Sequence, residues 1–281
     1  MYSVDMAIPS SKQALALRML FQLLRDKGYA WQPQTPDRLL GFRKNAEPFR
    51  PLVQWLGLGL AVSPEDLFAD GLTAALLKML VDTQFAIADL DRYRTCMAVS
   101  GSDELFVVHD HWPPSAVEQR GYVHYAAESA WLAAECNRDL EGFVGKRVLD
   151  LGCSSGALTL EVAVVADEVL GIDTSERSIE WAKILAESYG LKNVRYECAA
   201  VGELVAEQLV GEKLWDVAVF NPPMVVPSKD AAYPHRDGGS LGIELPLKFI
   251  EFAWKHLNTG GEVKCFATNP IVNGKPAFFD A

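Results

Sequence analysis

Two short stretches of this chain hold residues whose types and spacing can do chemistry. The first is Asp150-Leu151-Gly152-Cys153-Ser154-Ser155-Gly156, which closes a short apolar run and opens a helical one. Glycines at a strand-to-helix junction let the backbone approach a ligand closely, and the helix start offers unpaired N–H groups. A phosphate cradle is the usual rival for a Gly-rich loop. This loop has neither the lysine of GxxxxGK[ST] nor the full GxGxxG spacing. Asp150 instead places an acid ahead of the glycines, which suits a positively charged or amine-bearing ligand. Roughly 20 residues on, the run EVLGID ends in Asp173, an acid placed to accept hydrogen bonds from both hydroxyls of a ribose. The second stretch is Asn221-Pro222-Pro223-Met224, directly after the strand-like WDVAVF. The prolines fix φ and restrict the residue before each of them. The Asn221 carboxamide and the Pro222 carbonyl are thereby held toward one point.

The ligand outlined by the first stretch has a ribose, no pyrophosphate to cradle, and a cationic portion. S-adenosylmethionine meets all three demands. Two rigid acceptors at residues 221 and 222 can grip both N–H bonds of an –NH2 group and turn its lone pair outward. That orientation suits an in-line displacement on a sulfonium methyl about 3 Å away. Fixed dipoles there also stabilise positive charge growing on the nitrogen.

The motifs D-L-G-C-S-S-G and G-I-D, within about residues 145–267, resemble the class I S-adenosylmethionine-dependent methyltransferase family. N-P-P-M resembles the N-P-P-Y stretch of that family's amino-methyltransferases. These include release-factor glutamine methyltransferases and enzymes that methylate adenine and guanine nitrogens in nucleic acids. The resemblance implies that Gly152, Ser154 and Gly156 line the methionine portion, that Asp173 holds the ribose, and that Ala199 and Ala200 flank adenine. It implies that Asn221 and Pro222 carry the substrate nitrogen, with Pro223 and Met224 beside it, and that Asn221 also borders the cofactor. It places Tyr125 and Glu128 over the methionine moiety. It places the loop bearing Tyr233, His235, Arg236 and Asp237 over the substrate, where Arg236 would pair with a carboxylate and Asp237 with a cation. Met224 stands where relatives often have an aromatic residue, which removes a stacking platform for a nucleobase.

The elements that must position these residues follow from the pattern. After Gly145, short apolar strands alternate with amphipathic helices, which predicts a Rossmann-like, doubly wound parallel α/β sheet. The predicted strands are 147–151, 168–172, 194–198, 215–220 and 262–267. The predicted helices are 157–165, 175–189, 202–210 and 243–257. Residues 121–281 are expected to form this cofactor-binding domain, entered through a helix that carries Tyr122, His124, Tyr125 and Glu128 near its start. Residues 1–120 are expected to form a helical, winged-helix-like domain. Its predicted helices are 10–28, 47–59, 63–71 and 72–84, and its predicted strands 91–100 and 104–110 meet at a turn. The family sheet has seven strands, and too little chain follows residue 267 for the last two. The exposed edge so created is a pairing hazard, and the N-terminal domain or a second subunit is expected to cover it.

Composition narrows the partners. The 281 residues carry a net charge of −11 and are 49% hydrophobic. Both halves share the acidic excess, which argues against nucleic acid as a partner despite a basic lean in residues 1–50. No apolar run reaches the ~18 residues that would span a bilayer, and the start lacks a secretory pattern, so a cytoplasmic location is expected. The five cysteines are scattered without a CxxC pair, which predicts reduced thiols. His109 and His111 alternate on a strand end as metal ligands sit, but no other ligand cluster accompanies them, and no metal is expected. These features lead to an N-methyltransferase acting on an amide, guanidine or amine nitrogen of a small polar molecule or peptide, with homodimerisation open. A protein glutamine N5-methyltransferase is the first alternative. A nucleic-acid-binding regulator with a ligand-sensing methyltransferase-like domain is the second.

Overall fold

The computed structural model describes residues 11–34, 36–101, 105–111, 121–211, 214–224, 226 and 238–278. Five parallel strands form the central sheet: β5 (Arg147–Leu151), β6 (Glu168–Asp173), β7 (Val194–Cys198), β8 (Trp215–Phe220) and β9 (Leu257–Cys265), in the order β7-β6-β5-β8-β9. β5, β6 and β8 are near-continuous apolar runs because a parallel sheet is buried on both faces. Successive side chains alternate between the faces. Val148, Val169, Val217 and Val219 pack on one side with α5 (Ala127–Arg138) and α6 (Ala157–Ala163). Leu149, Leu170, Ile172, Ala218 and Phe220 pack on the other with α8 (Leu204–Val210) and α9 (Glu244–His256). The fully buried Trp215 anchors the second face, a side chain whose burial contributes about 1.5–3 kcal/mol.

The N-terminal region comprises α1 (Lys12–Asp26), α2 (Pro36–Lys44), a single π turn (Val53–Gly57), α3 (Pro64–Ala69) and α4 (Ala74–Asp82). Two hairpins follow: β1 (Ala86–Asp89) with β2 (Arg92–Thr95), and β3 (Ala98–Gly101) with β4 (Phe106–His109). Ser11 caps α1 and Ser63 caps α3, as their positions before apolar-periodic runs predict. The stretch 91–100 is not one strand. It divides between β2 and β3, which belong to different hairpins.

α1 and α4 do not reach the β9 edge. α1 packs on α7 (Glu176–Tyr189), which lies beside β6 and β7 at the opposite end of the sheet, and α4 packs on α1. The reason is the apolar stripe Ile179, Ala182, Leu185 and Ala186 on α7. It merges with Leu17, Leu20, Phe21 and Leu24 of α1 into one core. Ser11 Oγ donates to Glu187 Oε2 at 2.7 Å, and Arg18 Nε donates to the Ser188 carbonyl at 2.7 Å. Among the described residues β9 pairs with β8 alone, so the expected cover by the N-terminal domain is not found.

Candidate active site

The carboxyl ends of the strands frame a cavity of about 340 Å³. It sits where the strand order reverses between β5 and β8, the crevice in which open α/β sheets bind ligands. Gly152 and Ser154 border it after β5, Asp173 after β6, Ala199 and Ala200 after β7, and Asn221 and Pro223 after β8. Seven of the sequence-predicted residues therefore converge on one space.

Gly152 and Cys153 donate their backbone N–H groups to the Ile172 carbonyl at 2.7 and 3.0 Å, which locks the loop to the end of β6. Ser154 takes a left-handed φ of 47°. Its N–H donates to Asp173 Oδ2 at 2.9 Å and its hydroxyl to the His124 carbonyl at 2.8 Å. Asp173 Oδ1 accepts from Ser175 N at 2.9 Å. Burial pushes the Asp173 carboxyl upward, and the backbone donors pull in the opposite direction. Each Asp173 oxygen retains a lone pair for a ligand hydroxyl. Ile172, Val201, Leu245 and Phe249 supply apolar walls. An acid at one end, an apolar slot and a glycine bend at the other suit the ribose, adenine and methionine portions of S-adenosylmethionine.

Three expected liners stand elsewhere. Asp150 is fully buried behind the loop. Its Oδ2 accepts from Thr159 N at 3.0 Å and Thr159 Oγ1 at 2.6 Å, so it fixes the start of α6 against β5 rather than bordering the cavity. Gly156 is required for packing. Its φ is +82°, and a Cβ there would lie 2.3 Å from Tyr196 Oη. Tyr125 borders a neighbouring cavity instead. Residues 122–126 form no helix, and α5 begins at Ala127. Tyr122 and His124 line the cofactor cavity, Val123 packs into the N-terminal core, and Tyr125 is absent from the cofactor cavity's lining. Pro222 is buried between its cavity-lining neighbours, and Met224 is half-buried outside the cavity lining. Tyr233, His235, Arg236 and Asp237 lie outside the described residues.

Gly156→Ala is expected to destabilise the fold by about 2–5 kcal/mol. About 1–2 kcal/mol comes from the left-handed backbone and about 1–3 kcal/mol from overpacking. Adding Tyr196→Phe removes the clashing oxygen and is expected to restore part of the loss in urea titrations. Asp150 carries a pH signature. Burial lifts its carboxyl to about 7, against about 4 in an unfolded chain. Between those values the folded state keeps a proton that the unfolded state has lost. Stability therefore falls as pH rises from about 4 to about 7. Asp150→Asn keeps an oxygen for Thr159 and is expected to remove this slope. The variant's melting temperature should gain on the wild type across that window and level off above it.

Asn221 is held by a residue 92 positions away: its Nδ2 donates to Ser129 Oγ, on the first turn of α5, at 2.8 Å. Asn221 Oδ1 is buried and has no hydrogen-bond partner among the described residues. The Tyr122–His124 segment is itself clamped. The carboxylate of Asp110, just past β4, accepts from both terminal nitrogens of Arg177 on α7, one at 2.6 Å, and from Val123 N at 2.8 Å. Arg177 also donates to the Gly121 carbonyl at 3.0 Å. Sequence reading had no signal for Ser129, Arg177 or Phe249, because each reaches the site through tertiary packing. Ser175 did carry one, as an N-cap two residues after Asp173.

His109 and His111 do not converge on a common point. His109 Nδ1 donates to the Asp110 carbonyl at 2.9 Å and its Nε2 meets Ser100 Oγ at 2.8 Å, whereas His111 Nε2 meets Thr95 Oγ1 at 2.9 Å. Among the described residues no group of three or more His, Cys, Asp and Glu side chains could hold a metal ion. No helix among them is long and apolar enough to cross a membrane.

Residues 143–260 match the sequence model of a family described as a methyltransferase domain. A stretch of 64 residues is 45% identical to the ubiquinone biosynthesis O-methyltransferase of Bordetella pertussis, covering 23% of this chain and 26% of that protein. The protein of the same name from Acinetobacter baylyi is 40% identical over 67 residues, 24% of this chain and 28% of its own. The chain thus spans about a quarter of the length of these relatives. Among solved structures, a methyltransferase from Thiobacillus denitrificans in complex with S-adenosyl-L-homocysteine is 24% identical. It covers 53% of this chain and 54% of its own at a TM-score of 0.37. The crevice, the acid Asp173 at the end of β6 and the match of residues 143–260 to a methyltransferase domain agree with one another.

Proposed function

We propose that the protein transfers the methyl group of S-adenosylmethionine to a nitrogen of a small polar molecule or a peptide: an amine, amide or guanidine. One observation carries this reading. Asn221 borders the cofactor cavity with a buried Oδ1 that has no partner among the described residues, while its Nδ2 is occupied by Ser129. Leaving a buried polar atom unpaired costs about 1–3 kcal/mol, and a ligand N–H would offset that cost. When bound, S-adenosylmethionine supplies an electrophilic methyl. The chain's task is to aim a lone pair at it, and an amide oxygen accepting one N–H while leaving the lone pair free does so. The carboxamide is not a base, so it cannot remove the single proton that a hydroxyl acceptor must lose.

A second reading takes an oxygen acceptor, on the strength of the names of the partial relatives. His124, which lines the same cavity, would then be the candidate base. Incubation with methyl-labelled S-adenosylmethionine and separate pools of amines and amidines, phenols, protein extract and nucleic acid decides between them. Label on nitrogen, located by mass spectrometry, supports the proposal. Label confined to phenolic oxygen, or to nucleic acid, would replace it.

A further inference from the structure

A second cavity, of about 150 Å³, adjoins the first and shares Tyr122 and His124 with it. Trp31, Leu39 and His109 of the N-terminal region enclose one side, and residues 122–128 the other. We propose that this cavity binds a small planar nitrogen cation, such as an amidinium, a guanidinium or one protonated heteroaromatic ring. It would thus be where the methyl acceptor is recognised. The inference rests on the transfer reading above and adds the substrate class.

Size, walls and charge point the same way. The volume lies below the roughly 300–1,000 Å³ of pockets for drug-sized ligands, so it admits one ring or one planar head group. Trp31, Tyr122 and Tyr125 line it, and aromatic side chains attract cations. Among the described lining residues there is no lysine or arginine. The imidazoles do not substitute for one: burial pushes His109 down to about 4 and His111 down to about 3, so both are neutral at physiological pH. The Asp110 carboxylate is taken up by Arg177. Glu128, exposed on the first turn of α5, brings a negative charge to the rim. A cation entering here meets a partner, whereas an anion meets a like charge. Tyr122 and His124 line both cavities, which sets the recognised group next to the space that Asn221 borders.

Benzamidine and benzoate share a shape and differ in charge. Both are titrated calorimetrically into the protein saturated with S-adenosylhomocysteine. Benzamidine is expected to bind, with benzoate at least about tenfold weaker. Glu128→Gln, at an exposed position, should erase most of that preference. Ala127→Trp, also exposed, should fill the cavity and abolish benzamidine binding while S-adenosylhomocysteine still binds as in the wild type. Benzoate binding as tightly as benzamidine, or benzamidine binding unchanged by Ala127→Trp, would overturn the proposal. Benzamidine binding without methylation of any nitrogen acceptor would sink the transfer reading and leave this site standing. Methylation of a nitrogen with benzamidine excluded would do the reverse.

Discussion

Asn221→Ala is expected to lower kcat by about 10²–10³-fold, the usual loss when a preorganised dipole at the reacting centre is removed, with S-adenosylhomocysteine affinity unchanged. The split follows from the geometry. The lining of the cofactor cavity is spread over Gly152, Ser154, Asp173 and the apolar walls, so one side chain is expected to contribute little to cofactor affinity. On the proposed reading, by contrast, the acceptor nitrogen takes Asn221 Oδ1 as its polar anchor. Ser129→Ala leaves that oxygen in place but frees the carboxamide to rotate. It should give a smaller loss, partly recovered by Ser129→Thr, which restores the hydroxyl. Single-turnover rates and calorimetry measure the two effects separately. An equal fall in rate and cofactor affinity for Asn221→Ala would mean that the residue only shapes the loop.

Arg177→Ala is expected to destabilise the fold by about 3 kcal/mol and to weaken S-adenosylhomocysteine binding. Asp110 is 4% exposed at its side chain, so removing its partner strands a buried carboxylate, a change that costs about 3–5 kcal/mol. The lower end applies because Val123 N still donates to it. Asp110→Ala should cost less, since the Arg177 side chain is 35% exposed and can turn to water. Either change releases the segment that carries Tyr122 and His124 over the cofactor cavity. Urea denaturation and cofactor titration of both variants check the order. Asp110→Ala proving the costlier of the two would contradict it.

What could be read from the sequence was what is local. The strands of the sheet were legible because each is a short apolar run bounded by turn chemistry, and β5, β7 and β8 begin and end where predicted. β9 begins earlier than expected, because Leu257 pairs with Trp215 before the irregularity that precedes Glu262. α2 was missed: charged residues interrupt its sequence PDRLLGFRK, and Leu39 is its buried apolar side chain. β1 was missed because a four-residue strand with two exposed positions looks like loop. At the site, the glycine loop, Asp173 and Asn221 announced themselves by type and spacing. Asp150 and Gly156 were recognised as important but assigned the wrong task, since a motif does not reveal on which side of the backbone a residue does its work. Tyr125 was assigned to the wrong cavity because a helix was assumed over residues that precede α5, which begins at Ala127.

The merged core between α1 and α7 bears on how the molecule melts. Ile179, Ala182 and Leu185 belong structurally to the sheet's helix layer, yet they are kept dry by the first helix of the chain. A polypeptide beginning at residue 121 would present that strip to water and is expected to associate with itself. The intact chain, by the same token, should lose both regions in one calorimetric transition. Two separated transitions would show that the seam is weaker than its packing implies.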